Sequence, residues 1–171
     1  MFIFQKLHDM QNLQVQEEIL LKHLDDLLNQ GNAHVTLDDA FSEIPFEILG
    51  ETPGGLPYSI WQLAEHIRMA QFDILDFSRN AGYVYLKWPD DYWPKENKPG
   101  TKGDWDQCID QIKADRKAFV DLLYAAGKNV YLPLDHGTGQ TLLREALVLA
   151  DHNSYHTGQI ILLRKMMNAW K

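Results

Sequence analysis

Hydrophobic residues recur at alternating spacings of three and four in four long stretches of the chain, as they do along helices packed in a bundle. We predict helices over residues 13–29, 59–78, 105–126 and 141–168, with a shorter helix around residues 37–41. Segments rich in Gly, Pro, Asn and Asp separate these stretches, as expected of connections between helices. Four long helices predict an all-α fold, a four-helix bundle.

Each predicted helix has an apolar seam, and polar residues interrupt the seam of the last helix. Gly31 and Gly127 follow the first and third helices as stop signals, and Thr141 precedes the last helix as an N-cap. The first seam contains Leu13, Leu20, Leu24 and Leu27, and the last contains Leu142, Ala146, Leu149, Asn153, His156, Ile160, Leu163 and Met167. The two polar positions, Asn153 and His156, lie in the middle of the last helix.

Two long connections join the predicted helices. Residues 32–57 contain the short helix and several turn-forming Pro and Gly residues. Residues 82–103, which we call the aromatic loop, contain Tyr83, Tyr85, Trp88, Tyr92 and Trp93. Only residues 82–87 alternate as a strand does, and that stretch is short. Because so many exposed aromatic rings would leave an apolar patch, we expect the aromatic loop to cover part of the protein.

The composition fits one globular domain, residues 1–171, and argues against nucleic acid and membranes as partners. With 45% hydrophobic residues the chain can bury a core, and its one cysteine, Cys108, rules out an internal disulfide and is interpreted as a buried small residue. A formal net charge of −8 and the lack of a basic patch argue against nucleic acid. Charges interrupt every apolar stretch and the start lacks signal-peptide features, so we expect no membrane partner and a cytoplasmic location.

Three histidines can form a metal site. His152 and His156 lie four residues apart, about one helical turn, and can present their imidazoles to one ion. The alternative for such a pair is one core histidine and one surface histidine. His66 favours the metal site, because it lies beside the seam of the second helix and can add a third imidazole from a facing helix. For the remaining histidines a surface position is expected, and these are His8, His23, His34 and His136.

The ligand set indicates which metals to expect. Three protein ligands with one open position are typical of catalytic zinc, whereas structural zinc sites fill all four positions. All-imidazole ligation suits the later divalent transition metals, so we expect zinc or nickel, with manganese, cobalt and iron as alternatives. Glu65 and Asp151 each adjoin a histidine, but a rotation of about 100° per residue turns them away from it, and we expect them in solvent.

Two segments resemble a known family. One is the last helix with its Asp-His-Asn-Ser-Tyr-His-Thr-Gly-Gln sequence at residues 151–159, and the other is Trp-Gln-Leu-Ala-Glu-His at residues 61–66. Together with Tyr92-Trp93-Pro94 and Trp170, they resemble the DinB-like (YfiT-type) superfamily of metal-dependent enzymes over nearly the whole chain. The His-x-x-x-His element followed by Gly-Gln is the most specific part of the resemblance.

The resemblance implies an up-down-down-up four-helix bundle, a metal site formed by His66, His152 and His156, and a homodimer. The apolar residues that flank the seams also favour a dimer, and they are Leu21, Leu28, Leu143 and Ile161. Characterised branches of the superfamily transfer groups to or from low-molecular-weight thiols, and one isomerises a maleyl compound with a thiol cofactor. We therefore expect a small-molecule substrate and group transfer to such a thiol. Metal-dependent hydrolysis and a non-catalytic binding or stress protein are the alternatives.

Further residues are candidates for the pocket or for support of the metal ligands, and they are Trp88, Tyr92, Trp93, Asn153 and Gln159. Gln159 lies three residues beyond His156 and can orient a ligand or complete the hydrogen bonds of a polar site. Asn153 can contact a ligand or neighbouring backbone. The three aromatic residues are predicted to wall the metal pocket, and the alternative is a separate structural cluster.

Overall fold

The computed structural model describes the backbone of residues 2–170 and the side chains of residues 14–170. Within that range it contains the helices α1 (Phe2–Asn29), α2 (Leu37–Phe41), α3 (Ile60–Arg79), α4 (Lys102–Ala126) and α5 (Leu142–Met166). Short 3-10 helices lie in the connections, at Phe46–Ile48, Pro53–Gly55, Asp90–Tyr92 and Gly127–Tyr131. The predictions for the side chains of His8 and Leu13 lie outside the described residues.

The helices agree with the predicted ones, except that two begin earlier. Helix α1 begins at Phe2 instead of residue 13, because no glycine or proline occurs between Phe2 and Asn29 to stop it. Helix α4 begins at Lys102, because Thr101 caps it, so the last two residues of the aromatic loop belong to that helix. Leu27, predicted on the seam of α1, is 44% exposed.

Side-chain caps determine where the three helices after α2 begin. The hydroxyl groups of Ser59 and Thr101 accept the backbone N–H three residues ahead, and the side chain there accepts the backbone N–H of the cap in return. Thr141 accepts the backbone N–H of Arg144 at 3.1 Å, so the predicted N-cap of α5 is confirmed. These caps set the phase of α3 and α5 and therefore the face on which each histidine lies.

Two apolar clusters fill the interior, where α3 packs on α4 and α5 while α1 packs on the same two helices. One cluster contains Leu37, Ala40, Phe41, Leu49, Ile60, Trp61, Leu63, Ala64, Ile67, Trp105, Cys108, Ile112, Ile160 and Leu163. The other contains Leu21, Leu24, Leu75, Phe119, Leu123, Val130, Leu142, Ala146 and Leu149. The apolar seam residues predicted for α5 are buried in these clusters except Met167, which is partly buried, and they are Leu142, Ala146, Leu149, Ile160 and Leu163.

A polar layer separates the two clusters. Gln71 of α3 is fully buried, donates to the main-chain carbonyl of Ile112 in α4 at 2.5 Å and accepts from the Asn153 side chain of α5 at 3.1 Å. Because a buried amide without partners would be costly, these bonds hold the three helices in one register. The histidines lie in the same layer of α3 and α5.

The all-α prediction is confirmed. Between residues 2 and 170 the structure contains no β-strand, and one isolated antiparallel bridge joins Pro133 and Thr141. Residues 82–87 form a turn and irregular structure despite their alternation. Among the described helices, none combines the length and the apolar character that a bilayer crossing requires.

Candidate metal centre

Helix α3 holds His66 in the interior with one ring nitrogen anchored. The residue is 3% exposed, and its Nδ1 lies 2.8 Å from the main-chain carbonyl oxygen of Tyr92. Because a carbonyl oxygen can only accept, Nδ1 carries the proton and donates it. The tautomer is thereby fixed, and Nε2 presents a lone pair away from the aromatic loop.

Helix α5 brings His152 and His156 to the same place from the opposite side. The ring centroids of His152 and His156 are 4.5 Å apart. The centroid of the His66 ring lies 4.9 Å from that of His152 and 4.7 Å from that of His156. Nδ1 of His156 donates to the side-chain oxygen of Gln159 at 2.7 Å, which leaves its Nε2 free as well. The alternative, in which one of His152 and His156 lies in the core and the other on the surface, is therefore wrong, since the rings of both lie beside His66.

The three side chains fit a divalent transition metal ion. Zinc binds imidazole nitrogens at ~2.0–2.1 Å in a tetrahedron, which places two such nitrogens roughly 3.3 Å apart. The Nε2 atoms of His66 and His152 are 3.0 Å apart, and one nitrogen from each of the three histidines lies within 4.8 Å of the others. Among the side chains of residues 14–170, this is the one cluster of His, Cys, Asp or Glu that meets such a criterion.

Burial lowers the pKa of all three imidazoles, so each is neutral at pH 7 and keeps the lone pair that a metal ligand needs. For His152, burial and the neighbouring His156 and His66 lower the pKa to about 4. For His66 and His156, the hydrogen bonds to the Tyr92 carbonyl and to Gln159 oppose the lowering of the pKa by burial.

The outer nitrogen of His152 differs from those of the other two histidines. His152 Nδ1 and Asn153 Oδ1 are buried, and neither has a hydrogen-bond partner in the described part of the chain. The side chain of Asn153 nevertheless opposes the lowering of the His152 pKa, because its oxygen favours a protonated neighbour. The hydrogen bond that Asn153 makes with its side-chain nitrogen goes to Gln71.

The aromatic loop lies against the histidines through Trp88, Tyr92 and Trp93, the three residues that the sequence analysis proposed as the wall of the pocket. The Trp93 ring stacks on the His66 ring with a centroid separation of 3.9 Å and an angle of 2°, and on its other side it stacks on Tyr58 at 4.1 Å. The Trp88 ring lies 6.4 Å from His66, and the Tyr92 backbone accepts the His66 proton. Trp88, Tyr92 and Trp93 therefore do not form an aromatic cluster apart from the histidines, which was the alternative.

A cavity of about 340 Å³ lies beside His152, between the aromatic loop, α3 and α5. It is lined by Ala70, Asp73, Ile74, Phe77, Tyr83, Tyr85, Trp88, Tyr92, Gln140, Arg144, Glu145, Val148 and His152. Its size is at the lower end of the range of ~300–1,000 Å³ typical of small-molecule pockets. The cavity can therefore hold a small ligand whose end reaches the histidines.

Asp73 fastens the aromatic loop to α3 inside this cavity. The hydroxyl groups of Tyr83 and Tyr92 donate to its two carboxylate oxygens at 2.5 Å and 2.7 Å. Burial, and next the hydrogen bond to Asp73, raise the pKa of both tyrosines, that of Tyr92 to about 12, so both remain protonated donors. Tyr92 thus connects Asp73, through its hydroxyl, with His66, through its carbonyl.

The sequence analysis did not identify the charged residues of the cavity, namely Asp73, Arg144 and Glu145. Glu145 is 2% exposed and accepts from Arg144 at 2.8 Å. A signal was present, since Asp73 follows His66 by seven residues and Glu145 precedes His152 by seven. That spacing is close to two helical turns and keeps each carboxylate on the face of its histidine.

Glu65 was expected in solvent, and this expectation is wrong. The residue is 9% exposed, and Arg68 donates to both of its carboxylate oxygens at 2.8 Å, which makes its burial tolerable. Burial raises the pKa of the neighbouring Cys108 thiol, which is 2% exposed, and the Glu65 carboxylate raises it further. Cys108 is therefore the inert buried residue that was predicted. Asp151 is exposed as expected.

The other histidines of the described side chains lie apart from the cluster of His66, His152 and His156. His23 and His34 are exposed as predicted, whereas His136 is half-buried with its Nε2 2.6 Å from the carbonyl oxygen of Phe77. None of these three approaches His66, His152 or His156 closely enough to add a ligand.

Comparison with known families gives one match. A family model described as the DinB superfamily matches residues 32–160, which is more than half of the chain and includes His66, His152, His156 and the whole aromatic loop. Neither the curated proteins nor the solved structures contain a match.

Proposed function

The chain belongs to the DinB superfamily, and on that basis we propose that His66, His152 and His156 hold one divalent transition metal ion. The observation that carries the proposal is the convergence of three neutral imidazoles from two helices, two of them with the outer nitrogen anchored by a hydrogen bond. Zinc or nickel suits this ligand set best, and manganese, cobalt and iron are the alternatives. A bound ion at this site supplies Lewis acidity and lowers the pKa of a thiol or water that reaches it.

We propose further that the protein is an enzyme that transfers an electrophilic group to a low-molecular-weight thiol. A bond forms between the thiol sulfur and the electrophilic carbon, the leaving group departs with its bonding electrons, and the thiol proton passes to solvent. The sulfur must arrive with a cosubstrate, because Cys108 is buried and its pKa is raised. The cavity beside His152 would hold the remainder of the substrate, and the Trp93 ring over His66 would exclude water from one side.

Hydrolysis is the second candidate. Asp73 and Glu145 line the same cavity as His152, so a carboxylate is near the place where a water molecule would lose its proton. Both carboxylates already accept hydrogen bonds, from tyrosine hydroxyls and from Arg144, so their oxygens are engaged before a water molecule arrives. For this reason thiol transfer is the first proposal.

The topology and the assembly are also proposals. We propose that α1, α3, α4 and α5 form an up-down-down-up bundle, that the protein is a cytoplasmic homodimer, and that neither nucleic acid nor a membrane is its partner. The apolar residues thought to favour a dimer do not support it, because Leu21 is 5% exposed and the other three, Leu28, Leu143 and Ile161, are partly buried in the chain's own core. A mass near twice 19.8 kDa in light scattering would support the dimer.

The test of the metal centre is elemental analysis of purified protein. We expect about one equivalent of a divalent metal in the wild type and in the control variant His23→Ala, which removes an exposed histidine from α1. We expect loss of that metal in His152→Ala and His156→Ala. Full metal content in both of these variants would mean that the ion is held elsewhere.

The test of the reaction is a direct assay of the metal-loaded protein. Monochlorobimane is offered with each of glutathione, bacillithiol, mycothiol and coenzyme A, and the rate is compared with that of His156→Ala. Ester or amide hydrolysis without thiol transfer would favour the hydrolase. If the metal is present and neither thiol transfer nor hydrolysis is detected, the result would favour a non-catalytic binding protein.

A further inference from the structure

The cavity beside His152 has an excess of negative charge on its walls. Its charged side chains, the metal-site histidine aside, are Asp73, Arg144 and Glu145. Arg144 and Glu145 pair with each other at 2.8 Å. Asp73 accepts only from two neutral tyrosine hydroxyls, and no cationic side chain of residues 14–170 forms an ion pair with it.

Aromatic rings surround this uncompensated carboxylate. Tyr83 packs edge-on against Phe77 at 5.2 Å and against Tyr85 at 5.0 Å, and Trp88 lies 5.3 Å from Tyr92. Trp88 and Tyr85 are each 67% exposed, which places them at the mouth of the cavity. Aromatic faces attract cations, and rings combined with a carboxylate are a typical binding site for organic ammonium groups.

The position of Asp73 specifies how far such a group lies from the histidines. Asp73 is seven residues beyond His66, and a helix rises ~1.5 Å per residue, so the interval along α3 is about 10 Å. Glu145 is the same number of residues before His152 on α5, and both carboxylates line one cavity. A single tyrosine spans the interval, because the Tyr92 carbonyl contacts His66 and its hydroxyl contacts Asp73.

We propose that this cavity binds a linear small molecule with an ammonium group at one end, held at Asp73, and with its reactive group at the histidines. The proposal rests on the proposed function for the reactive end, whereas recognition of the ammonium end does not need the metal. An anionic group is disfavoured, because it would face Asp73 and would have to draw Arg144 away from the buried Glu145.

The first experiment is isothermal titration of the zinc-loaded protein with aminoalkanethiols and with mercaptoalkanols of equal length, carrying two, four, six or eight methylene groups. Each pair differs only in an ammonium or a hydroxyl end. With six methylene groups, which reach from the histidines to Asp73, we expect the amine to bind about tenfold more tightly than the alcohol. With two methylene groups we expect no preference, because the molecule cannot reach both ends.

Two variants test the role of Asp73. Asp73→Asn removes the charge and keeps an oxygen for a tyrosine hydroxyl, and we expect it to reduce the ammonium preference to less than threefold. Asp76→Asn makes the same change on the same helix outside the cavity, where Asp76 accepts from Asn80, and we expect it to leave the preference unchanged. Because the preference is a ratio of two ligands on one protein, a general loss of stability does not imitate this result.

A third measurement separates this proposal from the proposed function. Hexylammonium and hexanol carry no thiol, and we expect the metal-free protein to prefer hexylammonium as well. If that preference is seen while no thiol transfer occurs, the proposed function fails and the ammonium site stands. Equal binding of the amine and the alcohol, an unchanged preference in Asp73→Asn, or tighter binding of a mercaptocarboxylate of the same length would overturn the ammonium site.

Discussion

The lowered pKa of His152 predicts that the metal-free protein loses stability in mild acid. Its pKa is about 4 in the folded protein, against an ordinary value of 6.5, because burial and two neighbouring imidazoles disfavour the charged form. When the pH falls below about 6.5, the unfolded chain binds a proton at this residue before the folded chain does. Unfolding is therefore favoured, and the stability contribution present above pH 6.5 is lost as the pH falls toward 4.

The magnitude follows from the size of this shift. One pKa unit corresponds to about 1.4 kcal/mol, so His152 alone removes roughly 2.5 kcal/mol from the free energy of unfolding between pH 7 and pH 4.5. His66 and His156 act in the same direction, because burial also lowers their pKa. Bound metal would hold all three imidazoles neutral and would raise the stability at pH 7, but protons would compete with it as the pH falls.

The assay is urea unfolding of chelator-treated protein at half-unit steps between pH 7 and pH 4.5. Over this pH range we expect the free energy of unfolding of His152→Gln to fall by about 2.5 kcal/mol less than that of the wild type. This difference does not depend on how stable the variant is at pH 7. His23→Gln exchanges an exposed histidine in the same way and should parallel the wild type. If the wild type and His152→Gln lose equal amounts, the imidazole is not held neutral by its surroundings and the electrostatic argument fails.

Three further predictions test the core, the cysteine and the aromatic loop. Phe119→Ala, at a fully buried position, should lower the free energy of unfolding by about 3–5 kcal/mol, measured in urea, and a loss below 1 kcal/mol would contradict its burial. Cys108 should react with a thiol-specific reagent only as fast as the protein unfolds, because the thiol is buried with a raised pKa, and fast labelling of native protein would refute this. Tyr92→Phe should weaken zinc binding roughly threefold to tenfold by freeing the carbonyl that orients His66, whereas Tyr85→Phe, whose hydroxyl makes no bond to Asp73, should not.

The clustering of the three histidines was predictable because the spacing of residues along a helix determines the direction in which their side chains point. The hydrophobic repeat set the phase of α5, and four residues then place His152 and His156 on neighbouring turns of one face. His66 lies beside the apolar seam of α3, next to the buried Ile67, and its own burial at 3% exposure fits that position. The N-caps of α3 and α5 are local signals, and for this reason the ends of both helices agree with the prediction to within two residues.

The path of the aromatic loop was not predictable from local patterns. The aromatic loop has no repeat, and its path depends on long-range bonds such as those from Tyr83 and Tyr92 to Asp73. The group that orients His66 is a main-chain carbonyl, which every residue possesses and no sequence motif marks. Glu65 was misplaced for a related reason, because a rotation of 100° from His66 leads to solvent only if no neighbouring helix covers that side.

The polar layer explains why the imidazoles can be neutral, buried and still held in fixed orientations. One ring nitrogen of His66 donates to the Tyr92 carbonyl oxygen, and one of His156 donates to the Gln159 amide oxygen. Both acceptors are uncharged. A carboxylate in either place would raise the pKa of the imidazole and attract a proton to the site. The carboxylates that line the cavity, Asp73 and Glu145, are instead about two helical turns from His66 and His152 along their helices. Because Asp73 lies about two helical turns from His66, its carboxylate does not attract a proton to the imidazoles, and under our proposal it is free to hold the far end of a bound molecule.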